Sequence, residues 1–199
     1  MDNHGLIFLG FKRFIHFEHF MKINLLLIAL LCLVTLSACE QNAEISTSKK
    51  YNKEGVSFNY PGNWEIAEDA LSDGGYQISV TTPGNAVFLM RIYKEANAVV
   101  PLDKFSKLLS DNFAELLPLG KSVTNSFTPV TRVKKQWNST GIREKFDISI
   151  LKLVIPHERE FHAIKKSGKV AYLISQVAVE AMPHVESGFS LIRETFLIE

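Results

Sequence analysis

Cysteine is nearly absent from this 199-residue chain: Cys32 and Cys39 are the only two. After Cys39 no disulfide can form and no thiol is available as a nucleophile. Charge of one sign is lacking as well. Lys plus Arg number 22 against 21 Asp plus Glu, and from Cys39 onward the balance is 19 to 19. A neutral domain has no field to steer nucleic acid or acidic substrates, so no nucleic-acid partner is expected. Gly74-Gly75 and Gly84 stand apart, giving no phosphate-cradling loop, and no Gly-x-Ser-x-Gly elbow occurs. Long hydrophobic runs are missing too. Leu25–Val34 is ten apolar residues, about 15 Å of helix against a hydrocarbon core of about 30 Å. A permanent membrane span is the weaker reading.

What is there is a leader. Residues 1–38 hold 24 apolar residues out of 38, and the remainder has the composition of an ordinary globular domain. Met21-Lys22 supplies a positive start, the apolar run follows, and Ser37-Ala38 are small, as a secretory signal requires. Leu36-Ser37-Ala38-Cys39 resembles the lipobox of bacterial lipoproteins. The resemblance implies a diacylglyceryl group on the Cys39 thiol, cleavage between Ala38 and Cys39, and acylation of the new amino group, with palmitate as a suitable label. Two or three acyl chains anchor stably where one would be marginal. The membrane, reached through the Cys39 lipid, is therefore the first expected partner. Glu40 stands where an aspartate is associated with inner-membrane retention, which favours the outer membrane. Phe8, Phe11, Phe14, Phe17 and Phe20 recur every third residue, a period that drifts around a helix. Met21–Cys39 is a complete signal by itself, so a translation start at Met21, with residues 1–20 a start-site artefact, is favoured over an amphipathic membrane helix.

Residues 39–53 read as a lipidated flexible tether, polar and almost free of large apolar side chains, and residues 54–199 as a single domain. Val56, Phe58 and Tyr60 alternate as a half-buried strand should. Tyr60-Pro61-Gly62-Asn63 predicts a type II turn with Pro and Gly central. Trp64 and Ile66, then Gln77–Thr81 and Ala86–Tyr93, continue what reads as a meander, with a second turn at Thr82-Pro83-Gly84-Asn85.

The spacing of Leu102, Phe105, Leu108, Leu109, Phe113, Leu116 and Leu117 predicts a helix with one apolar stripe packed on the domain's own sheet. Pro101 and Asp103 suit its start; Pro118 and Gly120 stop it. Ser126–Val133 and the run to Trp137 give one or two short strands. Gly141–Ile155 gives another, ended by Pro156. Glu160–Lys166 and Val170–Val179 predict a hairpin turning at Lys166-Ser167-Gly168-Lys169. His184–Phe196 has helical spacing, weakened by Gly188.

The opening Phe58-Asn59-Tyr60-Pro61-Gly62-Asn63-Trp64, the strand Gly168-Lys169-Val170-Ala171-Tyr172-Leu173 and the Thr195-Phe196 finish resemble the PsbP-like family, which includes bacterial lipoproteins of the DcrB-like group. Thr195 stands where many members have Ser. The resemblance implies an α+β fold, an antiparallel β-sheet sandwiched by helices (an α/β/α sandwich). It also implies a role in binding or assembly, with no shared catalytic set to transfer.

Chemistry is sparse. His157 and His162 are five apart, whereas the zinc-protease motif needs four on one helix face. In a strand they point to opposite faces, and Pro156 with the neighbouring charges suggests an exposed turn. No metal and no cofactor are expected. Glu65, Glu68, Asp69 and Asp73 read as carboxylates in or near a loop, with no pairing to argue acid/base work from. Arg132/Lys134/Lys135 and Lys165/Lys166/Lys169 are offset by acids. Trp64 and Trp137 pack a core or line a pocket. The expected function is a non-enzymatic, lipid-anchored envelope protein with its domain in the periplasm, binding a protein partner of unknown identity. The alternatives are a carrier or sensor of a small apolar ligand, held by residues such as Phe88, Phe105 and Trp137, and a hydrolase with dispersed catalytic residues.

Overall fold

The computed structural model describes residues 41–71, 75–94, 100–117, 120–133 and 138–199; nothing is described of the side chains of 132, 133, 138 and 139. Cys39 and Ala38, Asp73, Gly74, Pro118, Lys134, Lys135 and Trp137 lie outside the described residues, as does the Arg132 side chain. No helix among the described residues is long and apolar enough to cross a membrane.

The first strand lies in the expected tether. Residues 49–53 form β1 (Lys49–Lys53), paired antiparallel with β2 (Val56–Tyr60) through a two-residue turn. Glu54 and Gly55 both take positive φ there, 52° and 75°, the conformation whose twist matches a hairpin. Tyr51 is the lone apolar residue of β1, and it is buried against Phe58 with ring centroids 4.9 Å apart. The lysines stay outside on this edge strand, a charge pattern that blunts an open edge.

Upstream of β1 the chain is also held. The Asn63 side chain accepts from the Glu44 amide and donates to the Asn42 carbonyl, both at 3.0 Å. Ala43 N–H donates to the His184 carbonyl at 2.9 Å, and Gly62 N–H to the Glu44 carbonyl at 3.0 Å. The turn that provides Asn63 sits one residue later than predicted. Trp64 N–H closes it on the Pro61 carbonyl, with Gly62 and Asn63 central. Gly62 has no left-handed φ; its missing Cβ leaves room for Thr47.

The expected meander is divided between two sheets. β2 sits between β1 and β10 (Leu197–Ile198) in a three-stranded sheet. The larger, seven-stranded sheet runs β3-β4-β5-β9-β8-β7-β6, with every recorded pair antiparallel. Its strands are β3 (Glu65–Ala70), β4 (Tyr76–Thr81), β5 (Val87–Lys94), β6 (Lys121–Val133), β7 (Asn138–Ile150), β8 (Leu153–Lys166) and β9 (Lys169–Ala178). Glu65, Glu68 and Asp69 thus belong to a strand, not a loop.

β6 is a single 13-residue strand with a register shift between Thr124 and Ser126, in place of one or two short ones. Pro156 does not end a strand. The β7–β8 turn is at Leu151-Lys152, and Pro156 lies inside β8 opposite Asp147. It is tolerated because β8 pairs with β9 only from His157 onward, so the missing N–H deprives no ladder bond on that side. The β8–β9 hairpin turns at Ser167-Gly168, as the sequence predicted.

Two helices cover this sheet. α1 (Leu102–Leu116) packs on one face, where Phe105 stacks on Tyr172 at 3.9 Å, with Phe161, Val170 and Ile174 around them. On the other face α2 (Met182–Thr195) buries Val185, Phe189 and Ile192 against Phe88, Met90, Leu173 and the small sheet. Trp64 meets Phe189 edge-on at 5.6 Å. Gly188 lies beneath the Trp64 ring, where a Cβ would collide with it. The antiparallel sheet is therefore borne out, while the sandwich is realised in part: a helix covers one face, and a helix shares the other with a second small sheet.

The α1 stripe differs from expectation. Leu108 and Leu116 are exposed, while Ser106 and Ser110 are buried. The Ser106 hydroxyl donates to the Asp103 carbonyl of its own helix, while Ser110 is turned to something polar beneath it.

Candidate functional site

That polar feature is an ion pair on the α1 side. Glu144 of β7 and Arg159 of β8 face each other across the register Glu144↔Arg159, with 0% and 1% of their side chains exposed. Arg159 Nη1 donates to Glu144 Oε2 at 2.7 Å, and Arg159 Nε to Gln176 Oε1 at 2.8 Å. The second carboxylate oxygen accepts from Thr124 Oγ1 at 2.7 Å and from Ser110 Oγ. The guanidinium lies over the Phe146 and Phe113 rings, which meet edge-on, 4.5 and 4.7 Å from their centroids, with Phe161 at 5.9 Å. Burial pulls the Arg159 guanidinium below its ordinary value, and the Glu144 charge and hydrogen bond work against that pull. The group is sealed from solvent, so it serves packing and register rather than a ligand.

Its counterpart on the α2 face is open. Alternation along β7 and β8 turns Arg143, Lys145, Glu158, Glu160 and His162 to that side. Arg143 bridges Glu160 at 3.2 Å and Glu158 at 3.7 Å, and Lys145 reaches Glu158 at 3.5 Å. Glu160 Oε1 lies 2.6 Å from His162 Nε2. From α2, Glu186 accepts from Arg193 at 2.7 Å and from Ser190 at 3.3 Å. Arg143, Glu158, Glu160, Met182 and Glu186 line a cleft of about 230 Å³. Its carboxylates are engaged with cations of the same chain, so its surface is polar and close to neutral. It suits a polar contact on another macromolecule better than an apolar small molecule. Glu160 and His162 are paired with each other, and the hydroxyl of Ser190 is committed to Glu186.

His157 and His162 do lie on opposite faces of β8, as their spacing implied, but both are buried in the strand and neither sits in an exposed turn. His157 stacks on Phe146 at 5.2 Å with Nδ1 2.9 Å from the Ile155 carbonyl. His162 fits over Gly141, where a Cβ would collide with the ring. The proposed lining of an apolar pocket is not assembled. Phe88 belongs to the α2-side core and Phe105 to the α1-side core, with the sheet between them. Trp64 is core. Sequence reading missed Glu144, Arg159, Asn63 and His184. The alternation through Phe146 and Ile148 was the signal for Glu144, since it places residue 144 on the buried face.

No protein-family model matches the sequence, and no curated protein matches it. Solved structures do show likeness. The solution structure of cyanobacterial PsbP (CyanoP) from Synechocystis sp. PCC 6803 superposes with a TM-score of 0.52 at 11% identity, covering 78% of this chain and 94% of that one. A crystal structure from Bacteroides thetaiotaomicron gives 0.49 at 15% identity, over 77% and 49% of the two chains. LpqN of Mycobacterium tuberculosis, described as involved in cell envelope biogenesis, gives 0.37 at 11% identity, over 76% and 90%. The first establishes a shared PsbP-like fold and nothing about activity; the other two are too distant to carry an argument.

Proposed function

We propose that this chain is a lipid-anchored protein of the bacterial cell envelope whose PsbP-like domain faces the periplasm and binds or assembles with a protein partner without catalysing a reaction. The observation that carries the reading is the fixing of residues 42–44 by Asn63 and His184. Only two residues, Glu40 and Gln41, then separate the first held position, Asn42, from Cys39 of the Leu-Ser-Ala-Cys motif, a reach of about 10 Å. A leash of 14 residues would have allowed about 45 Å at full stretch. An acylated Cys39 on so short a lead would hold the domain against the bilayer. The mutual pairing of the charged groups supports an accessory role, and Glu40 supports the outer membrane.

Radiolabelled palmitate should enter the wild-type protein and not Cys39→Ala; equal labelling would remove the anchor. Crosslinking in intact cells should then capture a specific protein. Failure to capture one, with a small apolar compound copurifying instead, would replace the partner by a ligand.

A further inference from the structure

Among the described residues, five of the eight exposed large apolar side chains, Leu116, Val123, Leu151, Leu153 and Val154, gather at one end of the large sheet; Ile45, Leu108 and Val179 are the others. The β7–β8 tip is Leu151-Lys152, flanked by Leu153 and Val154, and Leu151 is 100% exposed. The register Lys121↔Ser149 and Val123↔Asp147 brings the exposed Val123 to the same end. Gly120 packs against Ser149 and Ile150, so the chain leaving α1 after the exposed Leu116 arrives there too.

This turn is built unlike the other two tight hairpins. Those place Glu54-Gly55 and Ser167-Gly168 at positive φ, polar residue then glycine. Here a leucine holds φ 55°, a conformation that disfavours any residue with a Cβ, and points wholly into solvent.

The held N-terminal segment marks the same end. β9 finishes at Ala178 opposite His157, and the chain passes through Val179–Ala181 to His184, which binds Ala43. Leu153–Pro156 run four residues past the end of β9, about 13 Å. The hairpin tip thus projects at the end of the sheet where residues 42–44 are held.

We propose that this apolar end is a bilayer-contacting surface, with Leu151, Leu153 and Val154 entering the boundary between headgroups and acyl chains and Leu116 and Val123 beside them. It rests on the anchor reading above, since the bilayer is identified as the occupant by the short reach to an acylated Cys39. Lys121 and Lys152 face the phosphates, but Glu115 and Asp147 lie nearby, so apolar burial rather than charge drives the contact. Each leucine entering the interface should tighten contact by about tenfold.

The test uses full-length protein, acylated in the host, purified from membranes and reconstituted in phosphatidylethanolamine–phosphatidylglycerol vesicles. Single labels are placed by Leu151→Cys, Leu153→Cys and, at the opposite hairpin, Ser167→Cys, each carrying an environment-sensitive fluorophore. Labels at 151 and 153 should shift to the blue and lose most of their emission to lipids carrying a nitroxide near the headgroup, while 167 does neither. Emission at 151 and 153 matching that at 167 overturns the proposal, and leaves the anchor standing if the Cys39 peptide carries the diacylglyceryl mass. A blue shift without nitroxide quenching assigns the surface to a protein or a second copy, which also overturns it. A Cys39 peptide without the lipid mass removes the anchor and the proposal together.

Discussion

Deleting the Glu144 carboxylate should destabilise the domain by about 3–5 kcal/mol, the cost of leaving a buried charge without its partner. The structure explains why no smaller figure fits. Arg159 is 1% exposed, Glu144 accepts its Nη1 at 2.7 Å, and around it stand the neutral Gln176 and the rings of Phe146, Phe113 and Phe161. Close cation–π contacts contribute roughly 1–2 kcal/mol each when desolvated, and the three here cannot replace a formal negative charge. Glu144→Ala would also strip Ser110 and Thr124 of their acceptor. Glu144→Gln keeps an acceptor oxygen for those hydroxyls while losing the charge, and should fall between wild type and Glu144→Ala. The double substitution Glu144→Leu with Arg159→Met should recover most of the loss, because a buried pair replaced by apolar groups of similar volume is often close to neutral. Urea unfolding followed by circular dichroism is the assay. With a slope of about 2 kcal/mol per molar, the midpoint of Glu144→Ala should drop by about 2 M. A loss under about 1 kcal/mol, or a double variant no better than Glu144→Ala, would refute the account of this cluster.

Gly188→Ala should lower stability by about 1–2 kcal/mol despite its better helix propensity, because the new methyl meets the Trp64 ring and Pro61 Cγ, the latter at 2.8 Å; an unchanged or higher melting temperature would show that the ring can yield. Tyr51→Ala should cost about 3 kcal/mol in denaturant unfolding, whereas a residue in a free tether would cost nothing. Burial pushes the Tyr76 and Tyr172 phenols up to about 12 and Tyr51 higher still, the last with help from Glu68. The folded state therefore holds these protons more tightly than the unfolded chain. Their effect on stability is nil below the unfolded value near 10, and stability should fall as pH rises from about 10 through 12. Melting curves across that range test it, and a flat profile would contradict the burial of these phenols.

The elements legible in the sequence were those with several apolar residues at one period: β2, β4, β5, the β8–β9 hairpin and both helices. β1 was hidden because Lys49-Lys50-Tyr51-Asn52-Lys53 offers one apolar residue, and an edge strand needs no more when that residue stacks well. Pro156 misled because its cost depends on whether a third strand lies beside it, which pairing decides and composition does not. The face of α1 was misjudged by counting leucines. Ser110 turns inward to meet a carboxylate on a strand 34 residues away, and no local pattern reports that. The charged cleft was half visible: alternation in β7 and β8 sets Arg143 and Glu160 on one face, but Met182 and Glu186 join them only through the placing of α2. The proposed membrane face was invisible for a different reason, because exposure is a property of what fails to pack.

β10 adds two residues to the small sheet, yet they pair with Ser57 and Val56 near its beginning. Asn59 N–H is held by Thr195 Oγ1 across 136 residues of chain, and Glu199 N–H by the Gly55 carbonyl. Such pairing gives the domain a high contact order, and loop-closure entropy is spent before those contacts form. A chain emerging vectorially from its N-terminus cannot complete the sheet that holds Tyr51 and Phe58 until its final strand has been delivered. Until then the Phe58–Tyr51 pair lacks the strand that closes its sheet, even after every strand of the larger sheet has been delivered.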